Sequence, residues 1–466
     1  MEEDRQSLLS PSFAPLHTDI GFKYRFLKTL CNGRYGTVRL ASLKTLPSVQ
    51  VAIKTICKAR VKVSPDCLNR EIQALFQLDH PNISRLFEVF DDHRNVHLVK
   101  EYCSGPSLFD CIIQRGSFSE PEAARLLRKI LLAVNSLHNC NVCHRDLKPE
   151  HFMFEDSSPN AELKLVDFGI SNKLFGRGDQ SEIKTVVGSP DYMAPEVMWG
   201  GYGLMSDMWS VGVIMYAMLS GQLPFTADTI SETFDRAMNG SFNVSSEAWA
   251  KVSPAAVDLL RKLLVVEPKG RLSADAALRH EWFSQVPSQP VSLSLIDSLR
   301  NYRVKSRLQA EVHTILARLL NVSHFKDIKD TFMALDKDHN GYLSTYEVSK
   351  GLLEASYNVT ATEMAEIMLH VNFSEDGRIK FSEFLAAVMI ARSLLDDDVI
   401  WCAYALLDVD NTGIVSEGNM KEALRRVGRQ VTDGEVHEMM REVGADEDVI
   451  DYKQFKKVVL QGRLEP

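Results

Sequence analysis

Apolar and polar positions change rhythm several times along the chain. After a polar stretch broken by Ser-Pro and Ala-Pro, residues 1–23, which predicts a loosely ordered extension, a strand-like run starts at Tyr24. It leads into Cys31-Asn32-Gly33-Arg34-Tyr35-Gly36-Thr37-Val38. Val51-Ala52-Ile53-Lys54 alternates with the two-residue period of a strand, which puts Lys54 on the face opposite Ile53. Val96-His97-Leu98-Val99-Lys100-Glu101-Tyr102-Cys103 predicts another strand. A helical pattern covers residues 123–138, and a short apolar run, Phe152-Met153-Phe154, follows a polar loop. Pro287 and Pro290 mark a linker. Beyond it, Leu308, Val312, Ile315, Leu316 and Leu319 form one stripe of an amphipathic helix. The last third repeats. Segments start at Asp336, Asn372 and Asp408 in equal steps of 36 residues, and a fourth unit ends over 450–455.

With 466 residues the chain exceeds one ordinary core and predicts two to three domains. Hydrophobic content of 45% and charged content of 25% are those of an ordinary water-soluble protein. The net charge of −9 is unevenly placed: residues 325–466 hold 27 acidic and 16 basic side chains, against 35 and 37 over 1–324. An acidic final third argues for cations as partners and against nucleic acid. No apolar run approaches the ~20 residues of a membrane helix. There is no signal-peptide pattern, and Glu2 stands where N-myristoylation requires glycine, so a cytoplasmic, monomeric protein is expected. The eight cysteines lack regular spacing, which suits a reducing compartment and leaves Cys140-Asn141-Val142-Cys143 without a second pair for metal.

The densest chemistry lies at His144-Arg145-Asp146-Leu147-Lys148-Pro149-Glu150-His151. Asp146 is a carboxylate able to accept a hydroxyl proton, and Lys148 is a cation able to neutralise a phosphoryl group. Twenty-one residues after Asp146 comes Asp167-Phe168-Gly169, a second carboxylate suited to a divalent metal. In order and spacing these segments resemble the catalytic loop and metal-binding turn of protein kinases. The resemblance spans residues 24–283 and implies a two-lobed fold with ATP between the lobes. It implies that Gly33 and Gly36 bring backbone amides to the phosphates, with Cys31 in place of a first glycine. Lys54 matches the phosphate-holding lysine and Glu71 its partner on the following helix. Val38, Ala52, Met153 and the strand end at Glu101 and Cys103 match the nucleotide pocket. Lys100 falls where an apolar residue is usual, and a lysine with its head in water is the expected arrangement. Ser107 replaces a glutamate that contacts ribose or substrate. Ser181, Thr185 and Ser189 are phosphorylatable hydroxyls before Ala194-Pro195-Glu196, and Arg271 is expected to pair with Glu196.

His151 departs from the pattern, which has asparagine there. Asp167 with an imidazole at His151 would serve Mg²⁺ less well than Mn²⁺, and protonation near ~6.5 would weaken metal binding towards pH ~6.

Asp336-Lys337-Asp338-His339-Asn340-Gly341-Tyr342-Leu343-Ser344-Thr345-Tyr346-Glu347 fits the EF-hand loop: Asp336, Asp338, Asn340, the Tyr342 carbonyl, Ser344 and Glu347 supply oxygens for Ca²⁺. The second loop's ligand places fall at Asn372, Ser374, Asp376, Arg378 and Glu383. The third's fall at Asp408, Asp410 and Thr412, with Asn419 where the closing glutamate belongs. Fewer charged ligands predict the affinity order first, second, third, with the fourth unit structural.

Kinase segment (24–283), basic amphipathic junction (284–324, with Arg300, Arg303, Lys305 and Arg307) and four EF-hand units (325–466) together resemble the calcium-dependent protein kinases of plants and protists. The fold class expected is α+β, a kinase fold followed by an all-α domain. The resemblance implies a serine/threonine protein kinase using ATP and Mg²⁺, or Mn²⁺, restrained by the junction and released when Ca²⁺ lets the EF-hands capture it. A Ca²⁺-responsive pseudokinase scaffold, motivated by Cys31, Ser107 and His151, and a Ca²⁺ buffer stay open as other readings.

Overall fold

A computed structural model describes residues 20–33, 36–60, 72–167, 172–173, 190–200, 203–245, 247–286, 292–319, 325–354, 357, 359–372, 377–392, 394–395, 397–410, 412–426, 429, 431–442 and 449–460. Five antiparallel strands, β1 (Tyr24–Asn32), β2 (Gly36–Leu43), β3 (Gln50–Cys57), β4 (Leu86–Asp91) and β5 (Asn95–Glu101), make a sheet in the order β1-β2-β3-β5-β4. Its register sets Lys54 between Val38 and Leu98, and Ala52 between Leu40 and Lys100. Alternation buries Val51, Ile53 and Val99 with Ile20, Tyr24, Ala41 and Phe90. Gly36 is required by space: a Cβ there would lie 1.9 Å from the Thr55 carbonyl oxygen.

The second lobe is helical. Helix α1 (Glu120–Asn139) starts behind Ser119 with a proline in its first turn and Glu120 and Glu122 beside its positive end. Helix α2 (Leu204–Ser220) is apolar around its circumference and buries residues 206–219. A hairpin of β6 (Phe152–Phe154) and β7 (Leu163–Leu165) floors the cleft. Arg271 grips Glu196 with both Nη atoms, at 2.8 and 3.0 Å, as the sequence leads one to expect.

The C-terminal region is built from helices. α3 (Leu293–Asn301) and α4 (Arg307–Leu319) come first. Four helix–loop–helix units follow: α5 (Lys326–Leu335) with α6 (Thr345–Glu354), α7 (Ala361–Val371) with α8 (Phe381–Ala391), α9 (Asp397–Leu407) with α10 (Glu417–Arg426), and α11 (Asp433–Glu442) with α12 (Tyr452–Leu460). Short ladders couple the units in twos, β8 (Tyr342–Ser344) to β9 (Arg378–Lys380) and β10 (Val415–Ser416) to β11 (Val449–Ile450). The fourth unit, poor in ligands, is thus the pairing partner of the third.

The apolar stripe of α4 does not stand apart. Leu308, Val312, Ile315 and Leu316, with Leu295, Ile296 and Leu299 of α3, share one core with Phe332, Phe384, Tyr404 and Phe455 of the units. Each such side chain adds about 1.5–3 kcal/mol of burial. His313 bridges the Tyr302 hydroxyl (2.6 Å) and the Val459 carbonyl (3.0 Å). The basic residues around the helix meet acids of the units: Arg300 with Glu363, Arg303 with Glu366, Arg307 with Glu435. Towards the kinase lobes, Arg85 Nη1 donates to the Ala317 carbonyl at 2.8 Å, and the Ser382 amide donates to Asp79 at 3.0 Å. Asn135 of α1 donates to the His339 carbonyl at 2.6 Å.

Candidate active site and calcium loops

The loop 144–151 is held from beneath. Asp207 accepts the amides of His144 and Arg145, each at 2.9 Å, and bonds His138 at 3.0 Å. Burial opposes its charge, yet these hydrogen bonds keep its pKa below the ordinary carboxylate value. Arg145 takes φ of +70°, a strained conformation that the anchoring sustains.

Above that anchor five side chains converge. Lys54 Nζ lies 2.6 Å from Asp167 Oδ1. Lys148 Nζ lies 3.7 Å from Asp146 Oδ2. His151 Nδ1 is 2.7 Å from the Asp146 carbonyl oxygen, which accepts, so the proton is assigned to Nδ1. The other nitrogen, Nε2, then turns its lone pair towards Asp146 Oδ2 and Asp167 Oδ2, 3.8 Å from each. Burial raises the cost of charge on Asp167, but the Lys54 ammonium offsets it and holds the carboxyl well below its usual range. An imidazole nitrogen and a carboxylate oxygen facing one space fit a divalent metal, Mn²⁺ more readily than Mg²⁺.

Two expectations need correction here. Burial pushes His151 down to about 4, the neighbouring Asp167 only partly opposing it, so the ring stays neutral well below pH 6. And Lys100 does not reach water: it is 6% exposed, its ammonium donates to the Val166 carbonyl, and burial lowers its pKa to about 8. Lys100 sits on an inner strand, between Ala52 and Leu86, and its head finds an acceptor inside the fold instead of reaching solvent.

Around this centre the nucleotide-pocket residues are distributed as follows. Val38, Ala52 and Met153 are half-buried on β2, β3 and β6, while Gly33 donates to the Gly36 carbonyl at 2.8 Å. The Glu101 carboxylate is bonded to Lys164 (2.6 Å) and Arg85 (3.2 Å), while its amide donates to the Arg85 carbonyl at 2.9 Å and its carbonyl accepts from Ser84 Oγ at 3.2 Å. Cys103 is buried and its thiol is pushed up to about 12. Ser107 caps the helix Leu108–Arg115, accepting the Asp110 amide at 3.0 Å, which gives that departure from the kinase pattern a structural use. Glu71, Ser181, Thr185 and Ser189 lie outside the described residues. Sequence reasoning missed Arg85 and Lys164; Lys164 had a signal, a charge bracketed by apolar neighbours in Leu163-Lys164-Leu165, where only a buried partner makes charge tolerable, whereas Arg85 follows the polar Ser84 and had none so clear.

The first calcium loop is organised around its acids. Asp336 is fully buried and accepts the amides of Asn340 (3.1 Å) and Gly341 (2.9 Å), the latter at φ +85°. Glu347 accepts from the Lys337 and Ser344 amides, at 2.8 and 2.9 Å. Tyr342 donates its amide to Asn340 Oδ1 at 2.7 Å. Carboxylate oxygens of Asp336, Asp338 and Glu347 lie within 4.8 Å of one another, the one such cluster among the described residues. Burial, then Glu347 and Asp338, push Asp336 up to about 8. Three crowded oxygen ligands with no cation among them fit Ca²⁺.

In the third loop Asp408 accepts the Thr412 and Gly413 amides, at 3.0 and 2.9 Å, but Asn419 Nδ2 donates to Asp410 at 2.8 Å. The amide thus takes up a carboxylate that a closing glutamate would have left for the ion. Of the second loop, Asn372, Arg378 and Glu383 are described; Ser374 and Asp376 lie outside the described residues. Glu383 accepts the Lys380 amide at 2.8 Å.

A five-stranded lobe over a helical lobe, a lysine–aspartate pair across the cleft and an anchored His-Arg-Asp loop define a protein kinase, here continued into EF-hands. Residues 24–283 match the protein kinase domain family, and residues 325–389 match the EF-hand domain pair. Along nearly its whole length the chain is similar to Calcium-dependent protein kinase 34 of Arabidopsis thaliana, 32% identical over 99% of this chain and 89% of that relative. It is 34% identical to Calcium-dependent protein kinase 15 of Oryza sativa subsp. japonica, over 94% and 81%, and 32% identical to Calcium-dependent protein kinase 3 of Plasmodium berghei, over 91% and 78%. The chain belongs to the calcium-dependent protein kinase family. It is an ATP-dependent serine/threonine protein kinase, calcium-activated, with a divalent metal at its kinase site and Ca²⁺ at its EF-hands. No helix among the described residues is long and apolar enough to cross a membrane.

Proposed function

We propose that Asp146, Lys148, Lys54 and Asp167 carry transfer of the ATP γ-phosphoryl group to protein hydroxyls, and that Ca²⁺ controls it through the junction. The observation that carries the first part is the convergence of Lys54, Asp167, His151 and Asp146 in one pocket. Lys54 holds the α- and β-phosphates, partnered by Glu71. Asp146 accepts the proton as the serine or threonine oxygen bonds phosphorus and the bond to the departing ADP oxygen breaks. Lys148 neutralises the transferring group. Gly33 and Gly36 admit the phosphates, Val38, Ala52 and Met153 enclose adenine, and the backbone of Glu101 and Cys103 bonds its edge. Asp167 and His151 would hold Mg²⁺, or Mn²⁺, which would supply positive charge to offset that developing on the phosphate. Retention of Lys54, Glu71, Asp146, Lys148 and Asp167 weighs against a pseudokinase.

The division into an extension (1–23), catalytic domain (24–283), junction (284–324) and calmodulin-like domain (325–466) underlies the control. The core shared by α4 and the EF-hand units, with basic residues meeting Glu363, Glu366 and Glu435, supports capture of the junction by Ca²⁺-loaded hands. Without Ca²⁺ the junction restrains the kinase. Ca²⁺ fills the first loop best, then the second and third, and the fourth is structural. The chain works as a monomer, and the free thiols at Cys31, Cys57, Cys103, Cys111, Cys140, Cys143 and Cys402 suit the reducing cytosol.

The test is transfer of radiolabelled phosphate to a basic serine peptide, with Ca²⁺ or chelator, by the full chain and by one ending at residue 290. The full chain should need Ca²⁺ and the shortened chain should ignore chelator. A shortened chain without activity, beside a working full chain, would replace restraint by obligate activation.

A further inference from the structure

We propose that Lys100 is a positioning residue for the metal-binding turn: through the Val166 peptide it sets Asp167 and His151 to face one metal. The inference rests on the active-site reading above and concerns a side chain that reading leaves unused.

Lys100 stands on β5, an inner strand, between Ala52 of β3 and Leu86 of β4. It is buried behind the pair formed by Lys54 and Asp167, and its Nζ donates to the Val166 carbonyl. The same residue is held on its other side as well, since the Val166 amide donates to the His151 carbonyl at 2.9 Å. One residue later, the Asp167 carbonyl bonds His144 Nε2. The turn that carries Asp167 is therefore fixed at three backbone atoms, by groups from the catalytic loop on two and from the sheet on one. Lys100 is the sheet's contribution. The first lobe also holds Leu165, whose amide donates to the Asn82 carbonyl and whose carbonyl accepts from the Ser84 amide, each at 2.9 Å, but beyond Leu165 its remaining hold in the described geometry is the Lys54–Asp167 side-chain pair, which must yield when phosphates and metal enter.

A buried amine is costly unless its hydrogens find acceptors. A methionine would fill the same volume at no such cost. Space-filling and positioning therefore make opposite forecasts: replacing lysine by methionine costs nothing under the first and loosens the turn under the second.

The experiment uses the full chain carrying Lys100→Met or Lys100→Gln, the amide keeping an N–H donor. Affinity for a non-hydrolysable ATP analogue is measured by calorimetry without metal, with Mg²⁺ and with Mn²⁺, beside kcat, peptide KM and the thermal midpoint. In Lys100→Met the metal-dependent gain in nucleotide affinity should shrink by about tenfold, as expected for one ordering hydrogen bond lost. Metal-free affinity and peptide KM should stay put, kcat should fall, and the thermal midpoint should hold or rise. Lys100→Gln should keep the gain within about threefold of wild type, and on that comparison it carries the test alone should the methionine variant not fold, a loss of about tenfold then overturning the proposal. A methionine variant with the full metal-dependent gain, or a glutamine variant without any recovery, overturns the proposal. Wild type lacking a metal-dependent gain would overturn the metal-site reading itself.

Discussion

Asp167 and Asp336 are both carboxylates placed to meet a divalent cation, and their surroundings are opposite. Asp167 has a cation in place, the Lys54 ammonium at 2.6 Å, and its carboxyl is held well below the ordinary range. Asp336 is crowded by Asp338 and Glu347 in a fully buried position and is pushed up to about 8. The kinase pocket keeps its geometry before metal arrives, because lysine already balances the charge. The calcium loop has no such balance, so an ion-free loop either holds a proton or bears repulsion between acids. One site is preorganised and the other is a sensor, and a single side chain makes much of that difference.

Removing that side chain should have the largest effect. Lys54→Met should slow phosphoryl transfer roughly 10²–10³-fold, the scale seen when one preorganised donor is lost from an active site. It should leave Ca²⁺ titration of the full chain unchanged. Transfer rates and calorimetry on one preparation check both, and a shifted Ca²⁺ titration would mean that Lys54 does more than balance the charge on Asp167.

The sensor can be weakened in steps. Glu347→Gln removes one of three acids and should lower first-loop Ca²⁺ affinity by about a hundredfold, on the ligand-charge scale of such loops. Glu383→Gln should lose less. Asn419→Glu should gain, since Asn419 now donates to Asp410 at 2.8 Å and glutamate would leave that oxygen to the ion. Equal losses at Glu347 and Glu383 would abolish the ranking.

The proton on Asp336 gives a third handle. The carboxyl titrates at 3.8 in the ordinary state and at about 8 in the ion-free fold. A folded value above the unfolded one means that this group's stabilisation is complete below pH 3.8 and is lost as pH rises through about 8. In chelator, the thermal midpoint should therefore fall between neutral and mildly alkaline pH, more steeply than in Asp336→Asn. With saturating Ca²⁺ the slope should vanish, because the ion takes over the charge. A chelated chain with the same slope as Asp336→Asn would show that the loop relieves its crowding without a proton.

These contrasts were partly legible from the residues. The strands, the amphipathic stripe of 308–319 and the first loop could be read because period and ligand spacing are local properties. What α4 packs against could not, since an apolar stripe says only that it is covered. Lys100 defeated the expectation because its exposure depends on an acceptor distant in sequence, the Val166 carbonyl, which takes up the ammonium inside the fold. The Asn135–His339 contact lies beyond any pattern: it joins residues 204 apart through two surfaces that meet only in the folded chain.

The smallest effect tests how far the kinase pocket has adapted. His151→Asn would place an amide oxygen where Nε2 now faces Asp146 and Asp167. Mg²⁺ favours oxygen and Mn²⁺ accepts imidazole, so the substitution should raise kcat in Mg²⁺ a few-fold and narrow the preference for Mn²⁺. Acid should tell the wild type little. An ordinary imidazole gains its proton at 6.5, whereas burial keeps this ring neutral to about 4. A depressed folded value costs stability as pH falls from 6.5 towards 4, because the unfolded chain takes the proton first. Metal preference, set by the neutral ring, should stay flat from about pH 7.5 down to about pH 5. Assays in each metal across that range decide it. A preference that changes near pH 6 would mean that the ring titrates as if in water, and with it would go the placement of a neutral Nε2 between the two aspartates.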